Sequence, residues 1–148
     1  MLLTGRAGAG KQTIGSGVVS ELRSRGRPTG LVDAASVEHH LSAGTASLTW
    51  MCRWLVESGV VAIVSAAIPG REERERLRVA VPDLLEVFVD APADACEARA
   101  GRPDPSYEEP YAPDLRVPTH DRAPRASIAQ VLSFLEERHL ATGDAPAR

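Results

Sequence analysis

The chain has 148 residues, 43% of them hydrophobic, and a formal net charge of -3, which is material for one domain with a sizeable core. Its 17 basic residues are dispersed among 20 acidic ones, which argues against a nucleic-acid surface, and no apolar run reaches the roughly 18 residues a membrane-spanning helix needs. Cys52 and Cys96 are isolated and are expected as buried thiols rather than a disulfide; His39, His40, His120 and His139 show no metal-ligand spacing.

The first element is a short apolar strand, Met1-Leu2-Leu3, followed by Gly5, Gly8, Gly10 and Lys11, and then by Ile14, Val18, Val19 and Leu22 at helical spacing. Strand, glycine-rich turn, lysine and helix in that order are the parts of a P-loop. Its backbone N–H groups and the positive end of the following helix form a nest for phosphate oxygens, and the lysine adds an ammonium. Lys11 is the only lysine in the chain. Arginine fills every other basic position, so this one demands a slim point charge in place of a planar fork. The phosphate-binding set is therefore Gly5, Gly8, Ala9, Gly10, Lys11, Gln12 and Thr13. One residue departs from the motif: Gln12 stands where a serine or threonine hydroxyl normally holds Mg2+, with Thr13 one place later. Because the apolar run begins at once, no signal peptide is expected ahead of it, and a cytosolic location follows.

The first helix is predicted over 13–25 with Gly26 closing it, and TGLVD (29–33) is the second strand. Asp33 ends that strand, at the edge where ligands of open α/β sheets sit. It is read either as a metal ligand or base or as the N-cap of a short helix over 36–41. Leu48, Met51, Cys52 and Leu55 mark the apolar stripe of a further helix, on which Trp50 and Trp54 either pack on the sheet or meet a partner, with core packing expected. VVAIVS (60–65) has the β-branched continuity of a buried parallel strand. REERERLR (71–78) is a charged helix in which Arg71 and Arg74, just beyond a strand's carboxyl end, are placed to reach a phosphate or sulfate. LLEVFVD (84–90) is a strand and APADACEARA (91–100) a helix; proline and charge dominate 101–124 apart from a short strand at 115–117; Ile128, Val131, Leu132 and Leu135 mark the last helix. Strands alternating with helices give an α/β fold, a mainly parallel sheet covered on both faces, in a single domain over 1–140, with 141–148 expected to fray.

With the P-loop placed, the later segments resemble the adenylylsulfate kinase (APS kinase) family. EVFVDAPADACEARA (86–100) is similar to the family's E-V-F-V-D-x-P-x-x-x-C-E-x-R-D. VDAASV is similar to L-D-G-D-x-V, ESGVVAIVSAAIPGREER to D-A-G-x-x-V-I-x-A-x-I-S-P-Y-R-x-x-R, and YEEPYAPDLRVPT to Y-E-x-P-x-x-P-E-L-x-x-x-T. The resemblance implies a three-layer P-loop NTPase fold and ATP with Mg2+ as phosphoryl donor. The acceptor it implies is the 3'-hydroxyl of adenosine 5'-phosphosulfate (APS). It further implies Lys11 on the outer phosphates, Asp33 and Thr13 at the metal, Asp33 as base, Arg71 and Arg74 on the acceptor, and a homodimer, since family members often dimerise.

The departures from the family pattern lie on the acceptor side. Ala35 and Glu38 replace an aspartate and an arginine, Ala66 replaces an aromatic that stacks on adenine, and Ile68 replaces a serine. The family's D-R-x-E-N-x-R-R segment is missing after Leu41, and a basic lid is missing after Arg99, where Gly101 begins a short proline-bearing bridge. Each lost charge-assisted contact is worth about 1.5–3 kcal/mol. Two functions are therefore weighed: an APS-kinase-like phosphotransferase acting on APS or another small hydroxyl compound, and a nucleotide-binding module that keeps the fold without the turnover.

Overall fold

Leu2 and Leu3 are adjacent, and both are completely buried, because successive residues of a strand point to opposite faces of a sheet and here both faces are covered. The computed structural model describes residues 1–33, 44–66 and 68–138. In chain order the elements are β1 (Leu2–Thr4), α1 (Lys11–Ser24), β2 (Thr29–Asp33), α2 (Gly44–Glu57), β3 (Val61–Ser65), α3 (Arg71–Ala80), β4 (Glu86–Asp90), α4 (Ala93–Ala100), β5 (Leu115–Pro118) and α5 (Pro124–Glu137). The strands form one sheet in the order β2-β3-β1-β4-β5 with every pairing parallel. This is the three-layer α/β arrangement of P-loop NTPases, as the alternation of strands and helices requires.

Two cores follow from the alternation. On one face Leu3, Ile63, Val87 and Val89 of the strands meet Ile14, Val18 and Leu22 of α1 and Val131 and Leu135 of α5. On the other, Leu2, Val32 and Val64 meet Leu48 and Cys52 of α2 and Leu77 of α3. Each such side chain contributes about 1.5–3 kcal/mol by leaving water. Helix α1 starts at Lys11, two residues before the predicted boundary, and ends with Gly26 N–H donating to Arg23 O (2.9 Å) and Arg27 N–H to Leu22 O (2.9 Å), a Schellman turn. Helix α5 starts with Pro124 at its first position, where the missing N–H costs nothing.

Cys52 and Cys96 are both buried and free, as expected; burial raises the pKa of each thiol. Trp50 and Trp54 correct the expectation of core packing. They are 68% and 56% exposed, and their rings stack on each other with centroids 6.4 Å apart and planes 6° from parallel. At about 100° per residue they fall on the side of α2 opposite Leu48 and Cys52, which take the sheet-facing stripe. The short helix proposed over 36–41, His39, His40 and His139, and the tail 141–148 lie outside the described residues. Among the described residues no helix is long and apolar enough to cross a membrane.

The chain reverses direction through the sheet at β1. From there it runs to β2, returns to β3, and only later fills the other side with β4 and β5. The crevice beyond the carboxyl end of β1 is therefore the topological switch point, where α/β sheets bind ligands, and the glycine-rich turn lies in it.

Candidate functional site

Between β1 and α1 the chain turns through Gly8 (φ +81°) and Gly10 (φ +102°), both left-handed. The two glycines answer to different neighbours. At Gly8 an added Cβ would stand 2.3 Å from the backbone oxygen of Cys96, whereas at Gly10 it would meet nothing within 4 Å. Gly8 lets the loop lie against α4, and Gly10 turns the loop into α1 beside open space. Gly8→Ala is expected to cost about 2–3 kcal/mol, from left-handed strain together with a clash against backbone that cannot rotate away. A melting curve checks this; a midpoint within a degree of the parent protein would contradict it.

Gly10 also caps α1 with no side-chain hydrogen bond, and the first turn contains no acidic residue. The first-turn N–H groups of a helix have no partner within it, so α1 presents donors and its positive dipole end to the space in front. That space is a cavity of about 620 Å3 lined by the loop, by Lys11, Gln12, Thr13 and Ile14, by Asp33 and Ser65 at the ends of β2 and β3, and by residues after β5. These features fit a polyphosphate: donors at one end, a cation beside them, and room for a nucleotide.

The Lys11 ammonium donates to Gly5 O (2.7 Å) and Arg6 O (2.9 Å). Burial holds its pKa below the ordinary lysine value, and the charges of Asp104, Cys96 and Asp33 oppose that shift. Asp33 pairs in register with Ser65 across β2 and β3, and both reach the cavity.

The bridge that follows α4 is fastened to the loop from outside. Arg6 Nη1 donates to Asp104 O (2.7 Å), Ala7 N–H donates to Asp104 Oδ2 (3.0 Å), and the Tyr107 hydroxyl is 3.0 Å from Thr4 Oγ1. Arg99 Nη1 lies 3.3 Å from Gly8 O. From the far side of the sheet the Thr119 hydroxyl reaches Ala9 O (2.9 Å) and Asp90 O (3.1 Å). The loop is thus held at the Gly8 and Ala9 carbonyls and at the Ala7 N–H by side chains distant in sequence, and Ala9 N–H donates to Arg6 O (3.1 Å) within the loop.

Of the residues singled out from the sequence, Gly8, Ala9, Gly10, Lys11, Gln12, Thr13 and Asp33 converge on this cavity. Gly5 is not part of its lining; it serves through its carbonyl, on Lys11. Arg71 and Arg74, expected on the acceptor, are not in the lining of this cavity. Arg74 is 3% exposed and spends its guanidinium on Glu86 Oε1 (2.9 Å) and on the carbonyls of Ile68 (2.8 Å), Pro69 (2.9 Å) and Glu108 (2.6 Å). Arg71 Nε donates to Glu109 O (2.5 Å), its guanidinium lies 4.0 Å from the centre of the Tyr111 ring, and its backbone N–H donates to Glu108 Oε2 (2.9 Å). The segment 108–111 folds over the start of α3 and takes the donors that the strand-end position made available.

Ser65, Arg99, Thr119, His120, Arg122 and Ser127 also line the cavity, and the sequence reading assigned none of them a role there. Arg122 Nη1 donates to Gln130 Oε1 (2.9 Å), which orients it from α5. The only signal for this group was the threonine that closes YEEPYAPDLRVPT; the residues after it carry no motif.

Comparison with known proteins gives the family and the fold. The model of the family described as Adenylylsulphate kinase matches residues 1–103. The adenylyl-sulfate kinase of Synechococcus sp. (strain JA-2-3B'a(2-13)) is 32% identical, over 91% of this chain and 93% of its own. Among solved structures, the Mycobacterium tuberculosis APS kinase CysC in complex with AMPPNP and APS superposes with a TM-score of 0.77 at 26% identity, covering 91% of this chain and 96% of that one. A hexameric APS kinase from Thiobacillus denitrificans superposes with a TM-score of 0.73 at 22% identity, covering 94% of this chain and 29% of that one, which is a likeness of fold.

Proposed function

Because the chain belongs to the adenylylsulfate kinase (APS kinase) family, we propose that it binds ATP in the cavity before α1 and transfers the terminal phosphoryl group to a hydroxyl of a small molecule, first of all the 3'-hydroxyl of APS. The observation that carries the reading is the uncapped start of α1 at a left-handed Gly10, open to a cavity of about 620 Å3 with Lys11 beside it. The M. tuberculosis relative holds AMPPNP and APS in its complex, which supports the same pair of ligands here. On this reading residues 1–140 act as one domain in the cytosol, in sulfate assimilation.

Phosphoryl transfer needs positioning and charge stabilisation more than covalent chemistry from the protein. The amides of Gly8 and of Gly10 to Thr13 bind the phosphate oxygens and orient the chain of phosphates, while Ala9 N–H holds the loop through Arg6 O (3.1 Å). Lys11 exchanges the carbonyls of Gly5 and Arg6 for the outer phosphates, a short move for a four-carbon stem. Asp33, on the opposite wall, accepts the proton of the attacking hydroxyl or ligates the metal. The donor chemistry fits Mg2+: the Asp33 carboxylate and Thr13 hydroxyl are hard oxygen groups on the same cavity. Bound with ATP, Mg2+ would neutralise charge on the phosphates.

A second reading is favoured by the acceptor side. Arg74 is spent on carbonyls and a carboxylate, Arg71 gives its Nε to Glu109 O, and Ala66 stands where the family has an aromatic, so a different hydroxyl compound, or binding without turnover, has a physical basis. The test is to titrate the purified protein with ATP and Mg2+, then to follow ADP release with APS and with other small hydroxyl acceptors. ADP formed with APS supports the first reading. ATP bound with ADP released only to another acceptor moves the substrate, and ATP bound with no ADP at all leaves a nucleotide-binding module. As the only lysine, Lys11 offers an independent check: ATP should protect the single ε-amine from acylation.

A further inference from the structure

This inference rests on the nucleotide reading above and concerns how the chain holds the divalent cation that accompanies ATP. The residue after Lys11 is Gln12, so the hydroxyl that position normally offers is absent. Thr13 is one residue further, rotated by about 100° about the α1 axis, so its hydroxyl, although on the same cavity, does not take the direction of the missing one. A magnesium-type ion still requires hard oxygen donors, a few from protein and the rest from phosphate and water.

The opposite wall of the cavity supplies a pair. Asp33 and Ser65 are register partners on β2 and β3, so their side chains leave the same face of the sheet from strands about 4.8 Å apart. Two residues earlier on that face stand Leu31 and Ile63, packed in the core beneath α1, so the alternation carries Asp33 and Ser65 to the α1 side, just past the core's edge. Ser65 is 5% exposed and lines the cavity. No described residue makes a hydrogen bond to its hydroxyl, and its oxygen stays accessible from the cavity. A hydroxyl with no protein partner, open to the cavity beside a carboxylate on the neighbouring strand, is available to a ligand there.

We propose that the Ser65 hydroxyl, beside the Asp33 carboxylate, holds the nucleotide-associated divalent cation, or a water bound to it, in place of the hydroxyl missing at position 12. Ser65 thereby adds a donor at the β2–β3 edge of the cavity to Asp33 and Thr13.

Mn2+ serves as the probe, with ATP affinity measured by calorimetry with and without it and Mn2+ retention in the ternary complex read by electron paramagnetic resonance. Ser65→Ala should reduce Mn2+ retention about 3- to 10-fold while changing metal-free ATP affinity less than about twofold. Ser65→Thr, which keeps the hydroxyl, should retain Mn2+ like the parent protein, and Gln12→Ser should restore retention in the Ser65→Ala background. Unchanged Mn2+ retention in Ser65→Ala overturns the proposal, as does an equal loss of metal-free ATP affinity, which would assign the hydroxyl to a phosphate oxygen. If the parent protein binds no ATP with or without Mn2+, the nucleotide reading itself falls; ATP bound with no dependence on Ser65 overturns the cation site alone.

Discussion

Arg74→Ala is expected to lower the folding stability by about 3–5 kcal/mol, the range measured when one partner of a buried ion pair is removed. Arg74 is 3% exposed, and Glu86, its partner at 2.9 Å, has a side chain only 11% exposed. Without the guanidinium, Glu86 keeps, among the described residues, only Arg78 at 3.9 Å as a cation partner, and the carbonyls of Ile68, Pro69 and Glu108 lose this donor. For a chain of this size the loss corresponds to a fall in melting temperature of roughly 6–20 °C. Arg71→Ala, whose contacts are to a backbone carbonyl and the exposed Tyr111, should shift it far less, by the equivalent of about 1 kcal/mol or below. A thermal melt of both variants decides the matter. If Arg74→Ala melts with the parent protein but loses affinity for an acceptor, Arg74 returns to the substrate and the scaffold role is refuted.

The second large effect is expected at Lys11. Lys11→Ala should weaken ATP binding about 10- to 150-fold, the equivalent of one charge-assisted contact, and should lower turnover further because the outer phosphates carry the developing charge. Lys11→Arg should not rescue it. The ammonium sits between two carbonyls at 2.7 and 2.9 Å, a space that suits a point charge on a slim stem and not a planar fork. The pH dependence has two opposite signs. Burial holds the Lys11 pKa below its ordinary value, so the folded protein binds fewer protons than the unfolded chain in the window between the two values. Stability therefore rises with pH through that window, while affinity for ATP falls as the cation is lost. Calorimetric titration with ATP at rising pH, set beside melting curves over the same range, checks both signs. An ATP affinity indifferent to Lys11→Ala would remove the basis of the nucleotide reading.

The glycine-rich turn was legible because its chemistry is local. Gly8, Gly10 and Lys11 are three near neighbours, and the helix that follows them announces itself by the spacing of Ile14, Val18 and Leu22. The strands were legible for a similar reason: TGLVD and the segments ending in Ser65 and Asp90 became β2, β3 and β4, and the continuous β-branched run of VVAIVS demanded two covered faces. The stripe of α2 was read correctly at Leu48 and Cys52. The error over Trp50 and Trp54 came from weighing their hydrophobicity above their angular position, which puts them on the opposite side of the helix.

The rest of the site depends on which distant segments the sheet brings together. Thr119 reaches Ala9 across 110 residues of chain, and Asp104 reaches Ala7 across 97; no window along the chain contains either pair. Arg71 and Arg74 show the same limit from the other direction. A guanidinium beyond a strand end is free to meet a ligand until another segment arrives, and here 108–111 arrived first. Periodicity and local backbone preference, which act within a few residues, were enough to specify the layers and the phosphate-shaped turn from the amino-acid order alone. Which arginines stay available, which hydroxyl faces the cavity and what closes its far wall were settled by folding, because hydrogen-bond donors are claimed by whichever acceptor the packed chain places within about 3 Å of them.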